Sequence, residues 1–444
     1  MSVENKKNKA GVSNTPAGEP FYKISTTIDY LKFRFDLKTR NDFTPLNKIF
    51  EILDVDFDHA YRGPGMNGYE VTMKLAPGIL FWFGGDCTRN AFGEDTCVIE
   101  LKGEGCRTFE ENYYRKHYFD SDVVSKTESD RLGWIELLEE CKAQHGVCTR
   151  FDIPTDDLSG YITIDEIKEK IRKGEYSTKM RRIEETSSYE NKDDMLDPYS
   201  DQTSSLQKSI RIDDSKNKGY SCTIGTRNHV QLCIYDKAAE QHNKGDFLNI
   251  QSWIRYEVRF YHQNADENIL LLLFALQRNC VVEFIIGTLK SIFEFKEELP
   301  DDSRKRYRAK TWDKWNWLVS RGEEVNLFTC PKNMTSIEVT ARWLVLSAAK
   351  ALLKISACLG REITFAEIYT ALVIKSFNKL NKSDLIDINA FLRQRGLEEY
   401  KSVEELKEVF LTRDDFRDEF KKVTVDLLLT KKGKAQLRKE GFIK

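Results

Sequence analysis

Hydrophobic and polar side chains alternate along several short stretches in the first two thirds of the chain. Between residues 31 and 36, the apolar side chains of Leu31, Phe33 and Phe35 are separated by charged ones. A period of two is typical of a β-strand with one buried face. Similar stretches predict further strands at about 69–75, 79–84, 97–103, 148–155, 220–224, 229–236 and 253–261.

Helical character appears near residues 45–53 and 130–144 and becomes continuous after residue 265. Ser402 and Glu405 form a capping box that predicts the start of a late helix. Strands that come first and helices that follow are typical of an α+β protein. The sequence therefore predicts a mainly antiparallel sheet in a catalytic domain, followed by a helical C-terminal part.

Composition divides the chain further. Residues 1–20 are polar and lack aromatic anchors, which predicts a disordered tail. Residues 21–262 form the predicted α+β domain, and residues 265–444 the helical, accessory DNA-binding region. Within the first domain, residues 174–218 contain many Ser, Lys, Asp and Glu, which favours a flexible loop or hairpin insertion.

Length and charge set limits on what the chain can be. The 444 residues exceed the usual size of one core, and the net charge of -2 means that any nucleic-acid contact needs local basic patches. The ten cysteines include no Cys-x-x-Cys pair, which argues against zinc and fits a reducing cytoplasm. The longest apolar run, Ile269–Leu276, is too short to span a bilayer, and residues 1–20 lack a signal core. We therefore expect a cytoplasmic protein without a membrane span.

Three of the predicted strands carry polar side chains that would share one face of the sheet. These side chains are Arg150, Asp152 and Asp156, then Gln231, Cys233 and Tyr235, and finally Arg255, Glu257 and Arg259. A tyrosine hydroxyl can attack a phosphodiester and hold the cut end covalently. Carboxylates can hold a divalent ion, and oxygen ligands favour Mg²⁺ or Mn²⁺ over zinc. Arginines can neutralise the flanking phosphates.

The same residues also allow plainer interpretations. Tyr235 is one of eighteen tyrosines and could be an ordinary strand residue. Asp152 and Glu257 could form surface ion pairs with Arg150 and Arg255, which contribute little. Trp312, Trp315 and Trp317 could be stacking platforms for unpaired DNA, although a helix that buries its tryptophans is the interpretation we favour.

Several short blocks resemble the replication initiation factor family, which comprises rolling-circle plasmid and phage initiators and related relaxases of integrative conjugative elements. The blocks read CTRFDIPTD at 148–156, IGTR at 224–227, IYDK at 234–237 and IRYE at 254–257, preceded by IDYLKF at 28–33 and LKGEGCR at 101–107. They span about residues 25–320 in matching order. The family lacks the paired-histidine metal motif of other rolling-circle enzymes, and so does this sequence.

The resemblance implies a role for each matching residue. Tyr235 would be the nicking tyrosine, and Lys237 and Arg227 would contact phosphates, with Lys237 also a catalytic candidate. Asp152, Asp156 and Glu257 would be ligands of Mg²⁺ or Mn²⁺. The strand pattern adds Arg150 as a further catalytic candidate and Arg255 and Arg259 as DNA contacts, and the basic cluster of Arg304, Lys305, Arg306 and Arg308 adds more DNA-contact candidates.

These assignments predict a bacterial, metal-dependent nickase and strand-transferase that acts on origin DNA, with a duplex flank and a single-stranded nick site. A host helicase and a second copy of the chain are candidate partners. The alternative is a non-catalytic, origin-binding regulator that uses the same sheet. A binding module has no need for Tyr235, Asp152 and Glu257 together, so their joint presence favours the enzyme.

Overall fold

The structure is a computed structural model of the 444-residue chain. It describes residues 24–39, 41–85, 88–91, 93–119, 123–187, 207–212, 219–243, 250, 252–298, 307–320, 326–327, 337, 340, 344, 376–377 and 379–412. The predicted tail at residues 1–20 lies outside this part of the chain. The described residues form two compact units. Those of the first fall within residues 1–55, 65–71 and 78–333, and those of the second within residues 56–64, 72–77 and 334–444.

One large sheet dominates the first unit. Its strands follow the spatial order β10-β9-β11-β12-β13-β7-β2-β6-β5, with β1 paired to β7 and β15 paired to β1. Their bounds are β1 Ile24–Thr26, β2 Tyr30–Leu37, β5 Ile79–Phe83, β6 Asp95–Leu101, β7 Val147–Asp157, β9 Arg182–Ser187, β10 Gln207–Ile212, β11 Ser221–Gly225, β12 Val230–Asp236, β13 Ile254–Tyr261 and β15 Asn326–Leu327. Two further strands, β8 Tyr176–Thr178 and β14 Phe293–Phe295, pair with each other.

Among the described strands named above, nearly all pairings are antiparallel, and β9–β10 and β1–β15 are the parallel ones. The central strands alternate as the sequence predicts. Leu31, Phe33 and Phe35 of β2 are buried, and so are Phe151 and Ile153 of β7. The prediction of a mainly antiparallel sheet is confirmed.

Helices cover the apolar face of this sheet. Those of the first unit are α1 Asn47–Ile52, α2 Gly103–Tyr118, α3 Lys126–Ala143, α4 Ile164–Lys173, α5 Lys237–Asn243, α6 His262–Gln277, α7 Val281–Ile292 and α8 Asp313–Ser320. Helices α6 and α7 contact β7, and α3 contacts α6. The ring of Trp315 in α8 lies 5.4 Å from that of Tyr256, whose side chain is buried on the apolar face. The opposite, polar face of the sheet is left for the candidate site.

Two boundaries differ from those expected. Within residues 174–218, expected as a flexible insertion, the described residues 174–187 and 207–212 include the strands β8, β9 and β10. Helices α6 to α8 belong to the same compact unit as the sheet, whereas the sequence placed a boundary near residue 265. An amphipathic helix and the sheet face that it covers form one core, so composition alone does not separate them.

The second unit contains β3 Tyr61–Pro64, most of β4 Val71–Ala76, and the helices α9 Lys382–Gln394 and α10 Val403–Thr412. Helix α10 begins where the capping box predicts, with the Glu405 amide donating to the Ser402 hydroxyl at 3.0 Å. The ammonium of Lys74 donates to both carboxylate oxygens of Asp387 at 2.8 Å. No helix among the described residues is long and apolar enough to cross a membrane.

A close backbone approach fixes the start of α2 against the turn before β5. A Cβ atom built on Gly105 would lie 2.2 Å from the carbonyl oxygen of Gly78, which is far inside van der Waals contact. Only a residue without a side chain fits there. Gly105 belongs to the LKGEGCR block, so the structure supplies a physical reason for a glycine at this position of the block.

We predict that Gly105→Ala lowers the free energy of unfolding by about 1–3 kcal/mol, because the methyl group forces the helix and the turn apart. The matched control is Gly287→Ala in α7, where a Cβ meets nothing within 4 Å. That change should stabilise the helix by about 0.5–1 kcal/mol. Chemical denaturation measures both, and equal effects of the two substitutions would contradict the packing argument.

Candidate active site

The register of β12, β13 and β7 arranges the polar face in rows. Tyr235 lies opposite Arg255, which lies opposite Asp156. In the next row Cys233 lies opposite Glu257, and in the third Gln231, Arg259 and Asp152 are aligned. Directly opposed residues in an antiparallel pair point to the same face. The structure therefore brings Tyr235, Glu257 and Asp152 onto one surface, along a diagonal across three strands.

Tyr235 is the penultimate residue of β12, just before the chain turns into α5. Asp236 caps that helix by accepting a hydrogen bond from the Ala239 amide at 2.8 Å. The Lys237 amide donates to the Trp253 carbonyl at 2.9 Å, which ties the junction to the chain just before β13. The Lys237 ammonium lies 5.6 Å from the centre of the Tyr235 ring. Tyr235 is thus held at a fixed strand end and is half-buried.

A buried ion-pair network occupies the row of Tyr235. The Arg255 guanidinium donates to both oxygens of Asp156, at 2.7 and 2.8 Å, and its third nitrogen donates to Asp29 at 2.7 Å. The Trp253 indole also donates to Asp156, at 2.7 Å. Arg255 and Asp156 are only 2% and 0% exposed. Both oxygens of Asp156 therefore accept hydrogen bonds already, and this carboxylate positions the guanidinium of Arg255.

Asp152 and Glu257 form a second cluster with two arginines. Arg150 donates to both oxygens of Asp152, at 3.0 and 2.5 Å, and its guanidinium lies 4.0 Å from the ring of Tyr30. Arg259 donates to Glu257 at 2.7 Å and lies 3.8 Å from Asp152. The expected ion pair of Arg150 with Asp152 is present, but Glu257 pairs with Arg259 and not with Arg255.

Electrostatics keep the Tyr235 hydroxyl protonated. Burial raises its pKa well above the ordinary value, the negative charge of Glu257 raises it further, and Arg255 only partly offsets these effects. The hydroxyl has no hydrogen-bond partner among the described residues. A group in this state needs help from its surroundings to act as a nucleophile.

The surroundings shift the pKa values of the two carboxyl groups of the cluster in opposite directions. Burial, together with the charge of Glu257, raises the pKa of Asp152 to about 7, although Arg150 opposes the change. Burial also disfavours the charge on Glu257, but Arg259, Arg255 and Lys237 outweigh it and hold its pKa below the usual range. At neutral pH Glu257 is ionised, and Asp152 is near its midpoint.

The three carboxylates expected as metal ligands are not gathered around one point. Across the described ranges, no group of three or more His, Cys, Asp or Glu side chains is arranged to hold a metal ion. Asp156 does not fit that role, because Arg255 and Trp253 already use its oxygens. Asp152 and Glu257 are also ion-paired, with Arg150 and Arg259, but these two arginines are partly exposed whereas Arg255 is buried. The negative charges of Asp152 and Glu257 also interact, so these two are the better candidates.

The expected DNA contacts lie in different places. Arg227 is exposed in the turn before β12. Tyr235 is five residues beyond the start of that strand, so at about 3.4 Å per residue the two are about 17 Å or more apart. Arg255 is buried in its ion pairs. Arg308 lies 5.3 Å from the centre of the Tyr307 ring. Arg304, Lys305 and Arg306 lie outside the described residues.

Sequence reasoning missed several members of the polar face. Asp29 holds Arg255, and Tyr30 lies opposite Asp152 and donates a hydrogen bond to Glu100. The second oxygen of Glu100 is buried without a hydrogen-bond partner. The alternation that placed Lys32 on the polar face also placed Tyr30 there, so this signal was present in the sequence. The sequence contained no signal for the pairing of β2 with β7.

We predict that Asp156→Ala destabilises the fold by about 3–5 kcal/mol, because it leaves the buried Arg255 without its main counter-charge. Thermal and chemical denaturation check this, with Arg227→Ala in the exposed turn as the control that should change stability by less than about 0.5 kcal/mol. A stable Asp156→Ala protein that has lost only metal affinity would instead support the ligand role.

Comparison with known proteins places this site in a family. The profile of the family described as "Replication initiation factor" matches residues 146–367, which is half of the chain and includes the strands that carry Asp152, Tyr235 and Glu257. The predicted DNA relaxase NicK of Bacillus subtilis (strain 168) is 24% identical over 370 residues, covering 83% of this chain and 86% of its own. The solved structure of the rolling circle replication initiator protein from Geobacillus stearothermophilus has a TM-score of 0.48 and 16% identity, and the match covers 68% of this chain and 98% of that one. The chain belongs to the replication initiation factor family.

Proposed function

We propose that this protein nicks one strand of origin DNA through a covalent bond to Tyr235 and later rejoins the strand. The observation that carries the proposal is the common face of Tyr235, Glu257 and Asp152, produced by the register of β12, β13 and β7. Family membership and the similarity to a DNA relaxase support it. A protein with this activity would work on DNA inside a bacterial cell.

In the proposed reaction, the hydroxyl oxygen of Tyr235 bonds to the scissile phosphorus while the bond from that phosphorus to the neighbouring nucleotide breaks. The phosphodiester energy is kept in the tyrosyl ester, so the reverse attack can reseal the strand. The hydroxyl proton must leave during the attack, because the raised pKa of Tyr235 keeps it bound beforehand. The proton would pass to solvent water, because Glu257, the ionised carboxylate diagonally opposite Tyr235, accepts from Arg259 and is assigned to the divalent ion.

Asp152 and Glu257 would hold Mg²⁺ or Mn²⁺. The charges of the described polar face support this assignment. Its cations and carboxylates are already paired with each other, as in Arg150–Asp152 and Arg255–Asp156. A phosphodiester adds negative charge, which a divalent ion would offset while it polarises the scissile phosphate. Asp156 is left out of this set and instead fixes Arg255 beside Tyr235.

We expect Tyr235→Phe to abolish nicking and to leave the affinity for origin DNA nearly unchanged, because only the nucleophilic oxygen is lost. Strand cleavage on denaturing gels and binding by fluorescence anisotropy measure the two properties. The control is Tyr118→Phe, which removes the hydroxyl of a partly exposed tyrosine at the end of α2, outside the polar face. Nicking that survives in Tyr235→Phe would favour a regulator that only binds the origin, or a different nucleophile.

The carboxylates give a prediction with a pH dependence. Below the Asp152 pKa of about 7, its carboxyl group becomes protonated and holds a cation poorly. Cleavage at limiting Mn²⁺ should therefore decrease as the pH falls through about 7, and saturating Mn²⁺ should shift this midpoint to lower pH.

Asp152→Asn should remove most of the cleavage together with this pH dependence, and it should weaken Mn²⁺ binding measured by calorimetry in the absence of DNA. Full activity of the wild-type protein in excess chelator would refute the metal assignment. The role of Tyr235 would still be tested separately by the Tyr235→Phe experiment.

A further inference from the structure

The tryptophans in α8 and just before it fall into two groups. Trp315 of the helix is fully buried, as expected of a helix that buries its tryptophans, and Trp312, which precedes the helix, is nearly so. Trp317 is only partly buried, and its ring centre lies 4.8 Å from that of Tyr161 at an angle of 56°. Tyr161 itself is 45% exposed. An aromatic pair is therefore presented at the surface, and the core does not account for it.

Cations are interleaved with these rings. The ammonium of Lys314 lies 4.9 Å from the ring centre of Tyr161 and 5.9 Å from that of Trp312. The ammonium of Lys170 in α4 lies 5.0 Å from the ring centre of Trp312. Because Trp312 is buried and Lys170 is held by Glu175 and the Lys296 carbonyl, we call only Tyr161, Trp317 and Lys314 the Tyr161 platform. The Glu166 carboxylate accepts a hydrogen bond from the Lys314 ammonium at 2.7 Å and offsets its charge. Stacking on the rings would therefore contribute more to the binding of a ligand than the charge of Lys314.

The platform is rigid for a surface loop. Lys314 donates to the Tyr161 carbonyl at 2.7 Å, and the Tyr161 amide donates to the Ser159 hydroxyl at 3.0 Å. Gly160, with a φ of +69°, makes the turn that presents the ring. A ring that is already fixed loses little conformational entropy when a ligand stacks on it. Rigid aromatic rings beside cations are the recurring surface for single-stranded nucleic acid.

Its position relates the platform to the candidate active site. Tyr161 is five residues beyond Asp156, so its Cα lies within about 18 Å of that residue. Asp156 lies two strand spacings of about 4.8 Å each from Tyr235, across Arg255. The platform therefore lies beyond the end of β7 near Tyr235, on the side where α8 covers the apolar face. A single strand bound at Tyr235 would have to pass round the end of β7 to reach the platform.

We propose that the Tyr161 platform stacks an unpaired base of the DNA strand that flanks the nick. The inference rests on the proposed function, because it takes the single-stranded part of the origin as the ligand. It adds a binding site that is separate from the polar face. The platform holds the strand by the faces of its bases, so it should be tolerant of sequence and specific for unpaired DNA.

The test is the affinity for a short fluorescent oligothymidylate and for a duplex of the same length, measured by anisotropy on the full chain. Loss of one stacked base costs roughly 1–3 kcal/mol, so Tyr161→Ala should weaken single-strand binding about fivefold or more and leave duplex binding unchanged. Tyr161→Phe keeps the ring and should bind as the wild type does. Trp317→Ala should resemble Tyr161→Ala.

Phe274→Ala is the matched control, because Phe274 is 51% exposed on α6 and outside the platform. Wild-type affinity for the oligothymidylate in both Tyr161→Ala and Trp317→Ala would overturn the inference. So would an equal loss for single strand and duplex, or an equal loss in Phe274→Ala. The outcome is independent of the nucleophile, because Tyr235→Phe should keep the single-strand affinity. A wild-type protein that does not nick origin DNA would refute the proposed function alone.

Discussion

A guanidinium buried in the middle of a sheet is tolerable only when all of its nitrogens are paired, because an unpaired buried charge costs several kcal/mol. Arg255 meets this condition through Asp156 and Asp29, which come from β7 and from the residue before β2. The pairing therefore selects one register for β13 against β7, since a slip of one residue would turn Arg255 to the opposite face. The alignment of Tyr235, Glu257 and Asp152 depends on that register.

The two faces of the sheet have separate tasks. The apolar face, covered by α3, α6, α7 and α8, supplies the burial that stabilises the first unit. The polar face carries the Arg255 network that selects the register and, beside it, the charged cluster of Asp152, Glu257, Arg150 and Arg259. Without DNA, the carboxylates of this cluster are held in ion pairs, Asp152 with Arg150 and Glu257 with Arg259. In the proposed reaction, a divalent ion and a phosphate enter this balanced set, and the protein only has to redistribute existing pairs.

The sequence predicted the central strands and their faces well, because a period of two is a local property of β2, β7, β12 and β13. It did not predict partners that are distant along the chain, such as Asp29 for Arg255. The shared face also suggested that Asp156 serves with Asp152, whereas the register places it in the row of Arg255. Strand β9 was missed because its sequence, RIEETS, is charged and offers little apolar alternation.

The most direct test of the central claim is to find the residue that carries the DNA after cleavage. The covalent adduct formed with origin DNA and Mn²⁺ can be digested with trypsin and nuclease and then mapped by mass spectrometry. Trypsin should release residues 228–237, in which Tyr235 is the only tyrosine. We predict that the residual nucleotide is attached to this peptide. A nucleotide attached to any other peptide would contradict the account, however well the polar face is formed.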